Sequence, residues 1–135
     1  MRRLVFMLAV VLAGCAAPLP PAGPQYDGNY AGEDTVVSGW GYVCGAPTET
    51  LTIAVRNGQF DYPYHLSLSR IAPVPVRVAA DGSFAGQMQY GTSDFTPLYQ
   101  YKNAWVIVRG QIVDGTLDGV ITDDRCVYRM TARRG

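Results

Sequence analysis

The side chains able to do chemistry are few. One histidine, three cysteines and 11 acidic residues are spread over 135 residues, and they fall in no spacing that a familiar type of catalysis requires. His65 stands in "DYPYHLSLS". Ser67, Ser69 or Ser93 with an aspartate would complete a nucleophilic triad, but no Gly-x-Ser-x-Gly turn presents a serine. Glycoside chemistry needs two opposed carboxylates in a cleft, whereas Asp81 and Asp114 are turn residues by position. Asp123 and Asp124 precede the last strand, where a solvated hairpin loop explains them. A calcium loop needs more oxygen ligands at regular spacing. A zinc site needs more partners than His65 and two cysteines supply. Gly39, Gly41 and Gly45 open no helix that would cradle a phosphate. The expectation is a protein without catalytic residues, metal or cofactor.

Aromatic residues carry the remaining signal: nine tyrosines, four phenylalanines and two tryptophans. One cluster is Phe60, Tyr62 and Tyr64 with His65; the other is Tyr90, Phe95, Tyr99, Tyr101 and Trp105. In an extended segment positions 60, 62 and 64 share one face. Such residues either fill a core and hydrogen-bond at its rim, or form a platform for glycan rings or a protein partner. Residues 92–103 form the longest stretch without alternation and read as a binding loop. The candidate binding residues are therefore Tyr62, Tyr64, His65, Phe95, Tyr99 and Tyr101.

The elements that must position them are strands. Leu51, Ile53 and Val55 alternate with polar or small residues, as do Val74, Val76 and Val78. The same holds for Phe84, Gly86, Met88 and Tyr90, and for Val106, Val108, Gly110 and Ile112. Leu117, Gly119 and Ile121, and then Cys126, Tyr128 and Met130, complete the series. A period of two marks strands with one buried face. "VRNGQF", "AADGSF" and "IVDGTL" each place Asn-Gly or Asp-Gly between such runs, the chemistry of type I′ hairpin turns. With one or two strands from residues 29–44, the reading is all-β: a small antiparallel meander of seven or eight strands. It closes into an up-and-down barrel or folds into a sandwich. Pro73 and Pro75 predict a weakly paired strand. Cys44 and Cys126 form an even pair, read as one disulfide. Its loop of about 80 residues is worth about 4–5 kcal/mol in chain entropy.

The chain begins with Met1, Arg2 and Arg3, followed by ten apolar residues, 4–13. That run covers about 15 Å as a helix, half of a hydrocarbon core, and reads as a signal segment. Leu12-Ala13-Gly14-Cys15 resembles the bacterial lipobox. The resemblance implies acyl chains on Cys15, cleavage before it and a lipid-anchored product. Ala16 after the cysteine implies sorting to the outer membrane in a Gram-negative host. Residues 16–25, "AAPLPPAGPQ", read as a semi-rigid polyproline spacer. The organisation expected is a signal peptide at 1–14, lipidated Cys15 with its spacer at 15–25, and one β domain at 26–135.

The domain resembles a group of small exported alphaproteobacterial proteins without an assigned activity. These open with Tyr-Asp-Gly-x-Tyr-x-Gly, here Tyr26 to Gly32. They carry Asp-Gly-Ser-Phe, here Asp81 to Phe84, and end in a cysteine-bearing basic strand, here Cys126 to Arg134. A weaker similarity is to barrel-type bacterial protease inhibitors, which insert an N-terminal arm into a protease. Acidic and basic residues number 11 each, and no basic stripe suits nucleic acid. The expected role is binding or envelope structure, with the membrane and an envelope protein or glycan as partners. The alternatives are protease inhibition, or small-ligand binding in an open barrel mouth lined by Tyr62, Tyr64, Tyr99 and Tyr101.

Overall fold

The computed structural model describes residues 19–39, 41–67, 70–93 and 101–135. Its strands are β1 (Gly28–Ser38), β2 (Thr48–Val55), β3 (Gln59–Ser67), β4 (Arg70–Val78), β5 (Ser83–Ser93), β6 (Tyr101–Val113), β7 (Thr116–Thr122) and β8 (Val127–Arg134). One helical turn, α1 (Gly41–Cys44), lies between β1 and β2, and a 3-10 turn, Gly23–Tyr26, precedes β1. All neighbouring strands are antiparallel, in the order β2-β1-β8-β7-β6-β5-β4-β3. The pairing of β1 with β8, from Tyr30↔Arg134 to Ser38↔Val127, wraps the meander into a nearly closed eight-stranded barrel.

The two ends of that order, β2 and β3, meet only at their hairpin. Arg56 and Gln59 exchange two backbone hydrogen bonds there, at 2.9 and 3.0 Å, and no ladder continues beyond them. A seam therefore runs between β2 and β3. A second weakness lies beside it. β4 pairs with β3 from Gln59↔Arg77 to Ser67↔Arg70, but with β5 only across Val76–Val78. Pro73 and Pro75 have no N–H to give a ladder, so β4 is weakly paired on one side, as the sequence led us to expect.

Alternation sets which face is buried. Leu51, Ile53, Val55, Val74, Val76, Val78, Val106, Val108, Leu117, Ile121 and Met130 all point inward and lie in one core with Tyr30 and Phe84. Fully burying a side chain such as Ile53, Leu117 or Ile121 contributes roughly 1.5–3 kcal/mol. Gly110 and Gly119 also face inward. A Cβ at either would strike the Phe84 ring, which packs edge-on against Phe60 at 5.5 Å. The missing side chains make room for the aromatic pair.

The short turns gather at one end. Asn57 (φ 51) with Gly58 (φ 67), and Asp114 (φ 49) with Gly115 (φ 72), supply two successive positive φ angles, as type I′ turns require. The Asp81-Gly82 connection differs from the expectation, because only Gly82 (φ 84) is positive. Asp81 Oδ1 instead accepts from Ser83 N at 2.9 Å and Ser83 Oγ at 2.6 Å. The aspartate bonds to the backbone two residues on and shapes a different turn.

This end is also where the N-terminal segment enters. Ala22 N donates to Val78 O (3.0 Å) and Ala80 N to Pro20 O (2.9 Å). Asp27 accepts from the backbone of Asn57 (2.9 Å) and Gly58 (3.2 Å), and Tyr30 Oη donates to Tyr26 O (2.8 Å). Residues 20–25, read from composition as spacer, thus lie against the barrel. The Tyr26-to-Gly32 phrase works as a clasp there. Asp27 holds the β2–β3 turn, Tyr30 sits in the core, and Gly32 allows the Thr131 carbonyl to come close.

Candidate functional site

The opposite end carries the other four connections: β1 to β2 through α1, β3 to β4, β5 to β6, and β7 to β8. Cys44 of α1 is bonded to Cys126, just before β8, with 5.8 Å between their Cα atoms. The disulfide ties two of these connections together across the mouth. Gly39 is needed beside it, because a Cβ there would strike Cys44 Sγ.

Below the disulfide, β2 and β3 diverge from their turn and leave a wedge. A cavity of about 290 Å³ fills it, lined by Asp34 of β1, Glu49 of β2, Tyr62, Tyr64, His65 and Leu66 of β3, Tyr128 of β8, and Val43 to Ala46 of the disulfide-bonded connection. A second, more polar hollow of about 590 Å³ adjoins it where β4 and β5 separate, and shares Tyr64, His65 and Tyr128 with it. Deeper in the barrel, Tyr30, Ile53, Leu117, Ile121, Met130 and the valines pack the interior. Inside the barrel, room for a ligand is therefore at the mouth, and no deep calyx is formed by the described residues; a shallow hollow of about 690 Å³ also lies on the outer face of β6 and β7.

Phenols and carboxylates are paired around this mouth. Tyr62 Oη donates to Asp34 Oδ2 at 2.7 Å, Tyr64 Oη to Asp123 Oδ2 at 2.6 Å, and Tyr90 Oη to Asp124 Oδ1 at 2.7 Å. Tyr64 and Tyr90 pack ring to ring at 5.6 Å. Burial pushes the hydroxyls of Tyr62, Tyr64 and Tyr90 well above the ordinary phenol value, and the carboxylates that accept from Tyr62 and Tyr64 push the same way. Burial also lifts Tyr128, to about 12. The phenols of Tyr62, Tyr64 and Tyr90 stay protonated and act as donors. Asp123 is a loop organiser as well: its Oδ1 accepts from the backbone of Arg125 and Cys126, both at 2.7 Å. The Asp123-Asp124 pair is thus more than a solvated loop; it holds two tyrosines in place.

Asp34 is the unusual member. Its position on β1 continues the inward series Tyr30, Gly32, Asp34. Burial raises its carboxyl from 3.8 to about 6, with Glu49 adding to the rise and the Tyr62 hydrogen bond opposing it. Its Oδ2 is held by Tyr62, while its Oδ1 is buried with no hydrogen-bond partner among the described residues. Across the seam His65 Nε2 lies 3.7 Å from Glu49 Oε2, both side chains about half exposed, an arrangement worth little in stability.

Of the residues singled out from sequence, the structure brings Tyr62, Tyr64 and His65 together at one cavity. Tyr62 and Tyr64 are 4% and 7% exposed, so they close the top of the core and line the cavity at once. Tyr101 opens β6 at the mouth end, though its side chain, like Phe95, Tyr99 and Cys15, lies outside the described residues. Asp34, Glu49 and Tyr128 were not singled out. For Asp34 the available signal was parity, an acid on the inward phase of "NYAGEDTVV". Among the described residues no group of three His, Cys, Asp or Glu side chains is placed to hold a metal ion. No helix among them is long and apolar enough to cross a membrane.

Comparison with protein-family models, curated proteins and solved structures finds no match to this chain.

Proposed function

We propose that this protein is a lipid-anchored binding module of the bacterial envelope, held by Cys15 and presenting the mouth of its barrel away from the membrane. One observation carries the reading: the chain enters at the end opposite the cavity. Pro20 and Ala22 are hydrogen-bonded across the closed end, while the phenol–carboxylate mouth lies at the far end of the strands. Only five peptide units separate Cys15 from Pro20, a reach of at most about 18 Å. An acylated Cys15 therefore holds the closed end near the lipid headgroups and leaves the mouth facing the periplasm. A lipobox-bearing chain with a cavity at its free end suits capture of a ligand or partner better than it suits catalysis. The protease-inhibitor reading is less favoured, because the segment nearest the barrel, residues 20–27, is engaged by the closed end. An inhibitory arm would have to lie upstream of it.

The test is Cys15→Ser in the native host. The variant is expected in the soluble periplasmic fraction, while the wild-type protein pellets with membranes and its intact mass includes acyl chains. Retention of the variant in the membrane fraction would overturn the anchor and with it this orientation.

A further inference from the structure

The outer face of the barrel combines an exposed apolar surface with an unpaired cation. Val37, Val113, Val120 and Val127 line the shallow hollow over β6 and β7, together with Arg109 and Arg129. Val37 and Val113 are 62% and 55% exposed, and Trp105, further along the same face of β6, is nearly half exposed. Gly110 and Gly119, paired with each other, lie in the floor. No side chain holds them off the Phe84 ring, so the sheet runs close to the core there and its outer surface sinks. One row of the sheet reads Arg109↔Val120↔Arg129, which sets the two arginines about 10 Å apart at their Cα atoms. Arg129 donates to Asp118 at 2.8 and 3.3 Å. Arg109 is exposed and has no hydrogen-bond or ion-pair partner among the described residues. The hollow therefore carries two guanidiniums against one carboxylate.

Its shape and composition select the occupant. A small ligand needs most of its surface covered, which a shallow hollow does not provide. Exposed apolar side chains beside arginine and tryptophan are the makings of a protein contact. The chain itself carries the complement. Three strands separate β3 from β7 in either direction round the barrel, so β3 and its neighbour β4 lie on the side away from the hollow. Across them Asp61 pairs with Pro75, Pro63 with Pro73, and His65 with Ile71. Ile71 is 61% exposed. Asp61, Pro73 and Pro75 are exposed too, and Asp61 has no hydrogen-bond or ion-pair partner among the described residues. The result is an apolar ridge with one carboxylate. Its prolines are already rigid, so little freedom is lost when they are covered.

We propose that copies of this chain associate side by side, the proline ridge of one seated in the hollow of the next, with Asp61 of the first paired to Arg109 of the second. Ridge and hollow lie on different sides, so each copy offers both halves of the contact. Such a contact is heterologous and propagates as a row instead of stopping at a closed dimer. A contact on the flank leaves the mouth open and lets every copy keep its closed end toward one membrane. It needs no anchor, so it stands or falls apart from the Cys15 reading.

The experiment is sedimentation of the full chain, with detergent in excess so that each micelle holds one copy. The wild type should show a mass that rises with concentration beyond the dimer. Arg109→Glu and Asp61→Arg, both at exposed positions, should each weaken association about tenfold or more, because each sets like charges against one another. A mixture of the two variants should associate again, since every contact then joins opposite charges; recovery also shows that both variants are folded. A mass that stops at the dimer overturns the heterologous contact. Association undiminished in either single variant, or a mixture that stays monomeric, overturns the pairing of Asp61 with Arg109. A wild type still monomeric at about 1 mM, the order of effective concentration that tethering supplies, overturns the proposal outright and leaves the hollow to another molecule.

Discussion

Replacing Asp34 by asparagine gives the sharpest test of the mouth. A carboxyl at 3.8 in the unfolded chain and about 6 in the fold binds its proton more tightly when folded. Its contribution is therefore most favourable below about pH 4 and is lost as the pH rises through 6. The full loss is about 3 kcal/mol, an upper bound because the carboxyl is only partly buried and water screens it. Between about pH 5 and 7.5 some 1.3 kcal/mol of it disappears. For a domain of this size that lowers the Tm by about 5–8 °C. Asp34→Asn cannot ionise, so this decline should vanish from its profile. Its amide can still accept from Tyr62 through oxygen, and any packing cost is independent of pH; the slope is the readout, not the absolute stability. The assay is thermal unfolding of both chains at half-unit pH steps. The expected outcome is that the wild type loses stability relative to the variant as pH rises. Parallel profiles across this range would refute the argument that burial strains this carboxylate, and a wild type that gains on the variant would reverse its sign.

The remaining predictions address the scaffold. Cys126→Ser should lower stability by about 4–5 kcal/mol, the chain entropy of an 82-residue loop. It should also loosen the mouth, and unchanged melting under reducing and oxidising conditions would count against both. Gly110→Ala should cost about 2–3 kcal/mol, an overpacking penalty, because the new methyl meets the Asp118 carbonyl and the Phe84 ring. Gly91→Ala, with open space around it, should change the melting temperature little; equal effects at both positions would contradict the packing account.

Much of the barrel was legible in the chain. The alternating residues from Leu51 to Met130 face the core as their period of two requires, and Asn57-Gly58 and Asp114-Gly115 form the turns their residue types favour. This works because pleat parity and turn chemistry act within a few residues of backbone. Tyr62 and Tyr64 could be placed on one face for the same reason. The third turn departed because the Asp81 side chain competed for its own backbone, a local detail that the Asp-Gly dipeptide alone does not reveal.

The site itself was decided elsewhere. Asp34, Glu49, Tyr62 and Tyr128 come from four strands, and they meet only because β1 pairs with both β2 and β8. The seam was equally hidden. Asn57-Gly58 is a strong hairpin signal, yet β2 and β3 part beyond Arg56 and Gln59, since β1 and β4 hold the two strands on diverging courses. Composition and periodicity by themselves determined an all-β chain, its inward residues and its cysteine pair. Tertiary structure alone decided where the barrel fails to close and which acid is left buried there, because both depend on which distant strands meet when the sheet curls round, a choice that no short-range propensity encodes.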